Sequence, residues 1–149
     1  MTEAPPCGWM AGRVHHYSLR VFYADTDAAG MVHHSVYLCY AERARTEMMR
    51  LNDLDHLRLR DDDVVVFAVR DCRLDFRRPA LLDDVLALRS TVIASSGATM
   101  TVRQDVLRGH EILARMDIRL ACINGEGRPV RMPARLRRCV DGLLLQEGV

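Results

Sequence analysis

From Ser35 to Leu51 apolar residues recur at three- and four-residue steps. Tyr37, Tyr40, Ala41, Ala44 and Met48 form one stripe, while Glu42, Arg43, Arg45 and Glu47 occupy other faces. That spacing predicts an amphipathic helix with Ser35 as its N-cap. The other strong patterns have a period of two. Residues 15–24 alternate, with Tyr17, Leu19, Val21 and Tyr23 on one face of a predicted strand. Val64 to Phe76 opens on a continuous apolar run that predicts a strand buried on both faces. Val85–Ala94 and Thr99–Arg108 are the next strands. Glu111 to Asn124 is the clearest: Ile112, Ala114, Met116, Ile118, Leu120 and Cys122 alternate with a second set, and Asn124-Gly125 turns the chain. Residues 52–63 read as a short helix or loop, and 134–149 are ambiguous between strand and helix.

Strand, long helix, then a run of antiparallel strands make an α+β chain. Its single helix buries its stripe best by lying across the sheet. The 149 residues suit one domain, with 1–14 as a flexible leader and 15–149 as the folded unit. A net charge of +1, with Arg supplying the cations, gives no general attraction to nucleic acid or anionic membranes. No apolar run approaches ~18 residues, so no membrane span is expected. The five cysteines, at 7, 39, 72, 122 and 139, form no CxxC pair. They suit thiols in a reducing compartment, and with no signal-peptide pattern at the N-terminus the chain is expected in the cytoplasm.

The chemistry concentrates between the first strand and the helix. Asp25-Thr26-Asp27 leads to Gly30 and then His33-His34. A carboxylate near a helix start meets unpaired backbone N–H groups and the positive end of the dipole. The same N–H groups can stabilise an oxyanion. A turn or cap carboxylate and a loop histidine would look the same at this level. His15-His16 and His33-His34 have no further ligands at metal-site spacing, so neither metal nor cofactor is expected. There is no GxSxG elbow, GxGxxG or P-loop.

The segment VFYADTDAAGMVHHSVYLCYAERARTEMMR, residues 21–50, resembles the signature of 4-hydroxybenzoyl-CoA-thioesterase-like hotdog proteins. It is nearest the bacterial Tol–Pal-associated acyl-CoA thioesterase subfamily. VFAVRDCRLDFRRPALLDDVL, residues 66–86, matches that subfamily in register. The resemblance implies a hotdog fold, an antiparallel sheet wrapped around one long helix. It also implies a homodimer joined sheet edge to sheet edge, often paired into a homotetramer, with active sites at the dimer interface.

The implied activity is hydrolysis of an acyl-CoA thioester. Rival readings are release of acyl chains from an acyl carrier protein and non-catalytic binding of acyl thioesters. The family's catalytic acid falls on Asp27. The helix-start position whose backbone N–H polarises the thioester carbonyl falls on His34, as does the subfamily's histidine. Asp25, Gly30 and Tyr37 match positions that shape the loop and seat the helix. Gly30, Tyr37, Arg78 and Thr99 are the expected substrate-binding residues. Two departures stand out. His33 replaces an aromatic residue, and Ser95–Thr99 lacks the basic residues that meet CoA phosphates in relatives. Arg70, Arg73, Arg77, Arg78 and Arg103 are the candidate replacements.

Overall fold

The computed structural model describes residues 7–145. Strand β1 (Trp9–Ala11) turns through Gly12-Arg13 into β2 (Val14–Arg20). A 3-10 turn at Tyr23–Asp25 and a loop lead to α1 (Val36–Leu51). The one-turn α2 (His56–Arg58) and a π turn at Leu59–Asp63 precede β3 (Val66–Phe76). Then follow β4 (Val85–Ser95), β5 (Thr99–Arg108), β6 (Glu111–Ile123) and α3 (Ala134–Leu143).

The six strands form one antiparallel sheet in the order β1-β2-β4-β5-β6-β3. Helix α1 lies across one face and buries Tyr37, Tyr40, Ala41, Ala44, Met48 and Met49. Against them pack Leu86, Leu88 and Val92 of β4, Met100, Val102 and Val106 of β5, and Met116 and Ile118 of β6. One long helix wrapped by a single antiparallel sheet is the hotdog fold. No helix among the described residues is long and apolar enough to cross a membrane.

A polar bridge fixes the helix on the sheet. The buried Gln104 amide donates to the Ala41 carbonyl at 2.8 Å and to Ser90 Oγ at 2.9 Å, and accepts from Arg45 at 3.0 Å. Buried polar groups must find partners, so this set resists rotation of α1 about its axis. Arg45 is only 7% exposed, and burial holds its pKa below the usual guanidinium value.

Four expectations need correction. The strand predicted over 15–24 ends at Arg20, and Tyr23 stands 84% exposed in the 3-10 turn. There the Asp25 side chain accepts the Phe22 N–H at 2.9 Å, a local bond that competes with the ladder. The expected leader contributes β1, because Gly12 (φ +61°) permits a two-residue hairpin turn; residues 1–6 lie outside the described residues. The run from Val64 is not buried on both faces. It becomes the edge strand β3, and Val64 and Val69 are exposed. Ser35 occupies the N-cap position without a side-chain cap bond. The ambiguous C-terminal stretch forms α3, which buries Leu136, Val140 and Leu143.

Candidate active site

The loop between β2 and α1 is built by its aspartates. Asp25 Oδ2 accepts the Phe22 N–H at 2.9 Å and the Tyr40 hydroxyl at 2.8 Å, tying the 3-10 turn to the helix. Burial and the adjacent carboxylate push the Tyr40 pKa far up, so this phenol stays a donor. Asp27 lies further on, in a tight loop. Its N–H reaches the Met31 carbonyl at 2.8 Å, and its carbonyl accepts from Gly30 at 3.0 Å. Gly30 has φ +77°, which suits glycine and strains other residues. The loop docks on 80–82 through Val32 N–H to the Ala80 carbonyl (2.9 Å) and Leu82 N–H to the Gly30 carbonyl (3.1 Å).

Asp27 Oδ1 takes the Ala29 N–H at 2.9 Å and the Met31 N–H at 3.3 Å. Its Oδ2 has no partner among the described residues. Asp27 is therefore not a cap on α1, as its sequence position suggested. The loop carries it into a cleft of about 320 Å³ lined also by Met31, His34, Tyr37, Phe76, Arg77 and Arg78.

At the helix start His33 does the capping. Its Nδ1 accepts the Ser35 N–H at 3.2 Å and meets Ser35 Oγ at 2.8 Å, while its carbonyl accepts the Val36 N–H at 2.9 Å. The His34 N–H is bonded to no acceptor among the described residues. The His34 ring rests against that of His33, with centroids 4.1 Å apart. Tyr37 is seated from two sides: its hydroxyl accepts the buried Ala80 N–H at 3.2 Å, and its ring meets Phe76 edge-on at 5.2 Å.

Asp27, His34, Tyr37 and Arg78 thus share one cleft, and Gly30 shapes the loop behind it. Thr99 does not join them. It begins β5, opposite Ala121, whereas Arg108 at the other end of that strand reaches the Pro79 carbonyl at 3.3 Å. A ten-residue strand spans roughly 30 Å. Thr99 instead closes its own turn, with Oγ1 2.6 Å from Ser96 Oγ.

That turn is less neutral than its sequence suggested. Arg131 lies over Gly97, where an added Cβ would meet its guanidinium at 3.3 Å, and Arg137 donates to the Ser96 carbonyl. Both line a hollow of about 310 Å³. Sequence reasoning missed these arginines because they come from beyond β6. It also missed Met31 and Phe76 as cleft walls. The only signal for Phe76 was its place before Arg77-Arg78-Pro79, where the strand ends. Among the described residues no His, Cys, Asp and Glu side chains converge as a metal site.

A carboxylate with one oxygen free, in a cleft that His34 also lines, has the chemistry to attack a carbonyl group or to activate a water towards one. The sequence and fold are similar to those of known thioesterases. The acyl-CoA thioesterase YbgC of Haemophilus influenzae is 34% identical over 122 residues, 81% of this chain and 90% of that protein. A probable thioesterase from Bartonella henselae superposes with a TM-score of 0.77 at 33% identity, over 80% of this chain and 99% of its own. A hypothetical protein from Thermus thermophilus gives 0.82 at 32%, over 89% and 99%. Residues 21–140 match the thioesterase-like superfamily, and the chain belongs to it.

Proposed function

We propose that the chain hydrolyses acyl-CoA thioesters to a free acid and CoA, with Asp27 as nucleophile or general base. The observation that carries this reading is the free Oδ2 of Asp27 in the cleft that His34 also lines. The loop bonds to Oδ1 hold the carboxylate in place and leave Oδ2 for chemistry. The His34 N–H polarises the thioester carbonyl and takes up charge as its carbon becomes tetrahedral. One such donor is worth ~2.7–4 kcal/mol of barrier. In the nucleophilic route Oδ2 bonds to the carbonyl carbon, the C–S bond breaks, and CoA leaves as thiolate. Water then hydrolyses the mixed anhydride and restores Asp27. In the base route Oδ2 takes a proton from the attacking water. Single turnover in ¹⁸O-water tests for the first: an unlabelled first acid with the label in the Asp27 carboxylate means that an anhydride formed and that water attacked its aspartyl carbonyl.

Tyr37, Phe76 and Met31 offer the acyl group an apolar wall, and Arg78 stands at the rim for an anionic part of the substrate. Arg131 and Arg137 flank the Ser95–Thr99 turn; that turn stands at the far end of β5 from Asp27, so the two arginines meet the CoA 3′-phosphate, which a carrier protein's phosphopantetheine arm lacks, only at a cleft of a second subunit. Edge strand β3 leaves eleven residues of backbone open, and Val69 and Phe76 exposed. Such an edge invites pairing, so we read the chain as a homodimer that assembles into a tetramer. Cys39, Cys72, Cys122 and Cys139 are free thiols, Cys122 buried among them, and suit the reducing cytoplasm. A hydrolysis panel of short, long and aromatic acyl-CoAs beside acyl-carrier substrates tests the assignment. Turnover confined to carrier substrates, or absent from all of them, would overturn it.

A further inference from the structure

His33, which stands in place of the family's aromatic residue, bonds in three directions at the start of α1. Its N–H donates back to the Asp25 carbonyl at 3.0 Å. Its carbonyl accepts the Val36 N–H at 2.9 Å, which closes a four-residue turn over His34 and Ser35. Its ring nitrogen Nδ1 accepts the Ser35 N–H at 3.2 Å and lies 2.8 Å from Ser35 Oγ. A backbone N–H can only donate, so Nδ1 carries no proton in this contact. The ring does here what the side-chain oxygen of Asn or Asp does in an Asx turn.

These bonds account for every backbone donor from 33 to 36 but one. The N–H groups of His33, Ser35 and Val36 are taken, and that of His34 bonds no acceptor among the described residues. Its direction is fixed as well. A trans peptide holds its C=O and N–H on opposite sides, and the carbonyl of the 33–34 peptide is pinned to Val36. The His34 N–H therefore points away from the first turn of α1. Without the ring contact, Ser35 would present a second free N–H one residue further on.

The same residue ties this donor to the acid. Thr26 bridges to Val32, the Asp27 N–H reaches the Met31 carbonyl, and the His33 N–H closes the loop on Asp25. Asp27 and His34 thus ride on one hydrogen-bonded hairpin, with His33 at its junction with the helix.

We propose that His33 is a positioning residue for the reaction. Its imidazole latches the Ser35 N–H, leaves the His34 N–H as the single backbone donor for the thioester oxygen, and holds that donor at a set angle to Asp27. This role deepens the hydrolytic reading above and rests on it. His33 acts through its neighbour, since it is not among the residues that line the cleft. An oxyanion donor acts in the transition state more than on bound substrate, so a loosened latch lowers kcat and leaves KM near its value. His33 and Ser35 are both exposed, so water competes for the bond. The effect is therefore a fraction of the roughly 10²–10³-fold that a whole donor supplies.

The His33 ring also rests on that of His34, with centroids 4.1 Å apart, and the two contacts are separable. His33→Phe keeps a ring and loses the acceptor. His33→Asn loses the ring and keeps an acceptor, because Asn Oδ1 lies as many bonds from the backbone as His Nδ1 does.

Two measurements on the wild type and both variants test the latch. The first needs no substrate. Amide proton exchange, followed by NMR, should be slower at Ser35 than at His34 in the wild type. At Ser35 it should quicken several-fold in His33→Phe and return towards wild type in His33→Asn. The second is steady-state hydrolysis of butanoyl-CoA and benzoyl-CoA. In His33→Phe kcat should fall roughly three- to tenfold, the scale of a lost cap, with KM within about twofold, and His33→Asn should recover most of the loss.

Wild-type kcat in His33→Phe overturns the positioning role and leaves the hydrolysis standing. An active His33→Phe beside a slow His33→Asn also overturns it, and assigns the effect to the ring contact. So does a rise in KM in place of the fall in kcat. Equal exchange at Ser35 in all three proteins removes the latch itself. A wild type that hydrolyses neither thioester removes the reaction being positioned, while the exchange rates still report whether the Ser35 N–H is held.

Discussion

Exchanging each loop aspartate for asparagine separates chemistry from architecture. At position 27, Asn still offers Oδ1 to the Ala29 and Met31 N–H groups, so the loop survives. What disappears is the negative charge and the free oxygen in the cleft. Turnover should fall roughly 10²–10⁴-fold, the scale of losing a general base, with the melting temperature nearly unchanged. Asp25→Asn should behave the other way. Its Oδ2 holds both the Phe22 N–H and the hydroxyl of the buried Tyr40. Hydrogen bonds to charged groups are worth about 1.5–3 kcal/mol and neutral ones about 0.5–1.5. Neutralising this acceptor costs about 1–2 kcal/mol over the two bonds, discounted for their partial exposure. At about 2–4 °C per kcal/mol for a chain of this size, the melting temperature drops about 2–8 °C. Turnover should stay within roughly tenfold of wild type. Initial rates of thiol release and scanning calorimetry on both variants supply the four numbers needed. Near wild-type turnover for Asp27→Asn would refute the catalytic assignment. An inactive Asp25→Asn beside an active Asp27→Asn would move the acid two residues upstream. Parallel losses of rate and stability in both would reduce the motif to a turn.

Three further outcomes follow from particular contacts. His15 is fully buried, with Nε2 2.8 Å from the Cys7 carbonyl and Nδ1 without a hydrogen-bond partner; burial holds its pKa below the ordinary 6.5. Its contribution to stability is therefore full above about pH 6.5 and lost as pH falls through the lower folded value. Urea midpoints should drop more steeply from pH 7 to pH 5 in wild type than in His15→Leu, and parallel profiles would refute this. Tyr37→Phe leaves the buried Ala80 N–H unpaired and should cost about 1–3 kcal/mol in chemical denaturation; a change under about 0.5 kcal/mol would mean that another acceptor takes its place. Replacing Arg131 and Arg137 together by Ala should bring kcat/KM for an acyl-CoA and its 3′-dephospho form to parity, and an unchanged preference would show that the phosphate binds elsewhere.

What could be read from the sequence follows from how local each interaction is. The α1 stripe and the β6 alternation were visible because each element buries one face, which writes a period into the chain. The apolar run from Val64 predicted a strand buried on both faces, whereas β3 lies at the edge of the sheet with Val64 and Val69 exposed. A central strand and an edge strand show the same run of valines. The same distinction orders the site. Asp27 bonds residues two and four positions away, so its loop carries a compact motif with Gly30 at a fixed place. The Asp25–Tyr40 bond spans fifteen positions and still lies within one continuous segment. Tyr37 to Ala80 spans 43 positions and Arg137 to Ser96 spans 41, and no spacing rule connects such pairs. Thr99 was assigned to the substrate by analogy of position along the chain, and within one subunit it falls at the far end of β5. Position along the chain could not reveal this, because a long strand separates residues that a loop of the same length would leave close, and β5 carries Thr99 away from the end where Arg108 reaches the Pro79 carbonyl.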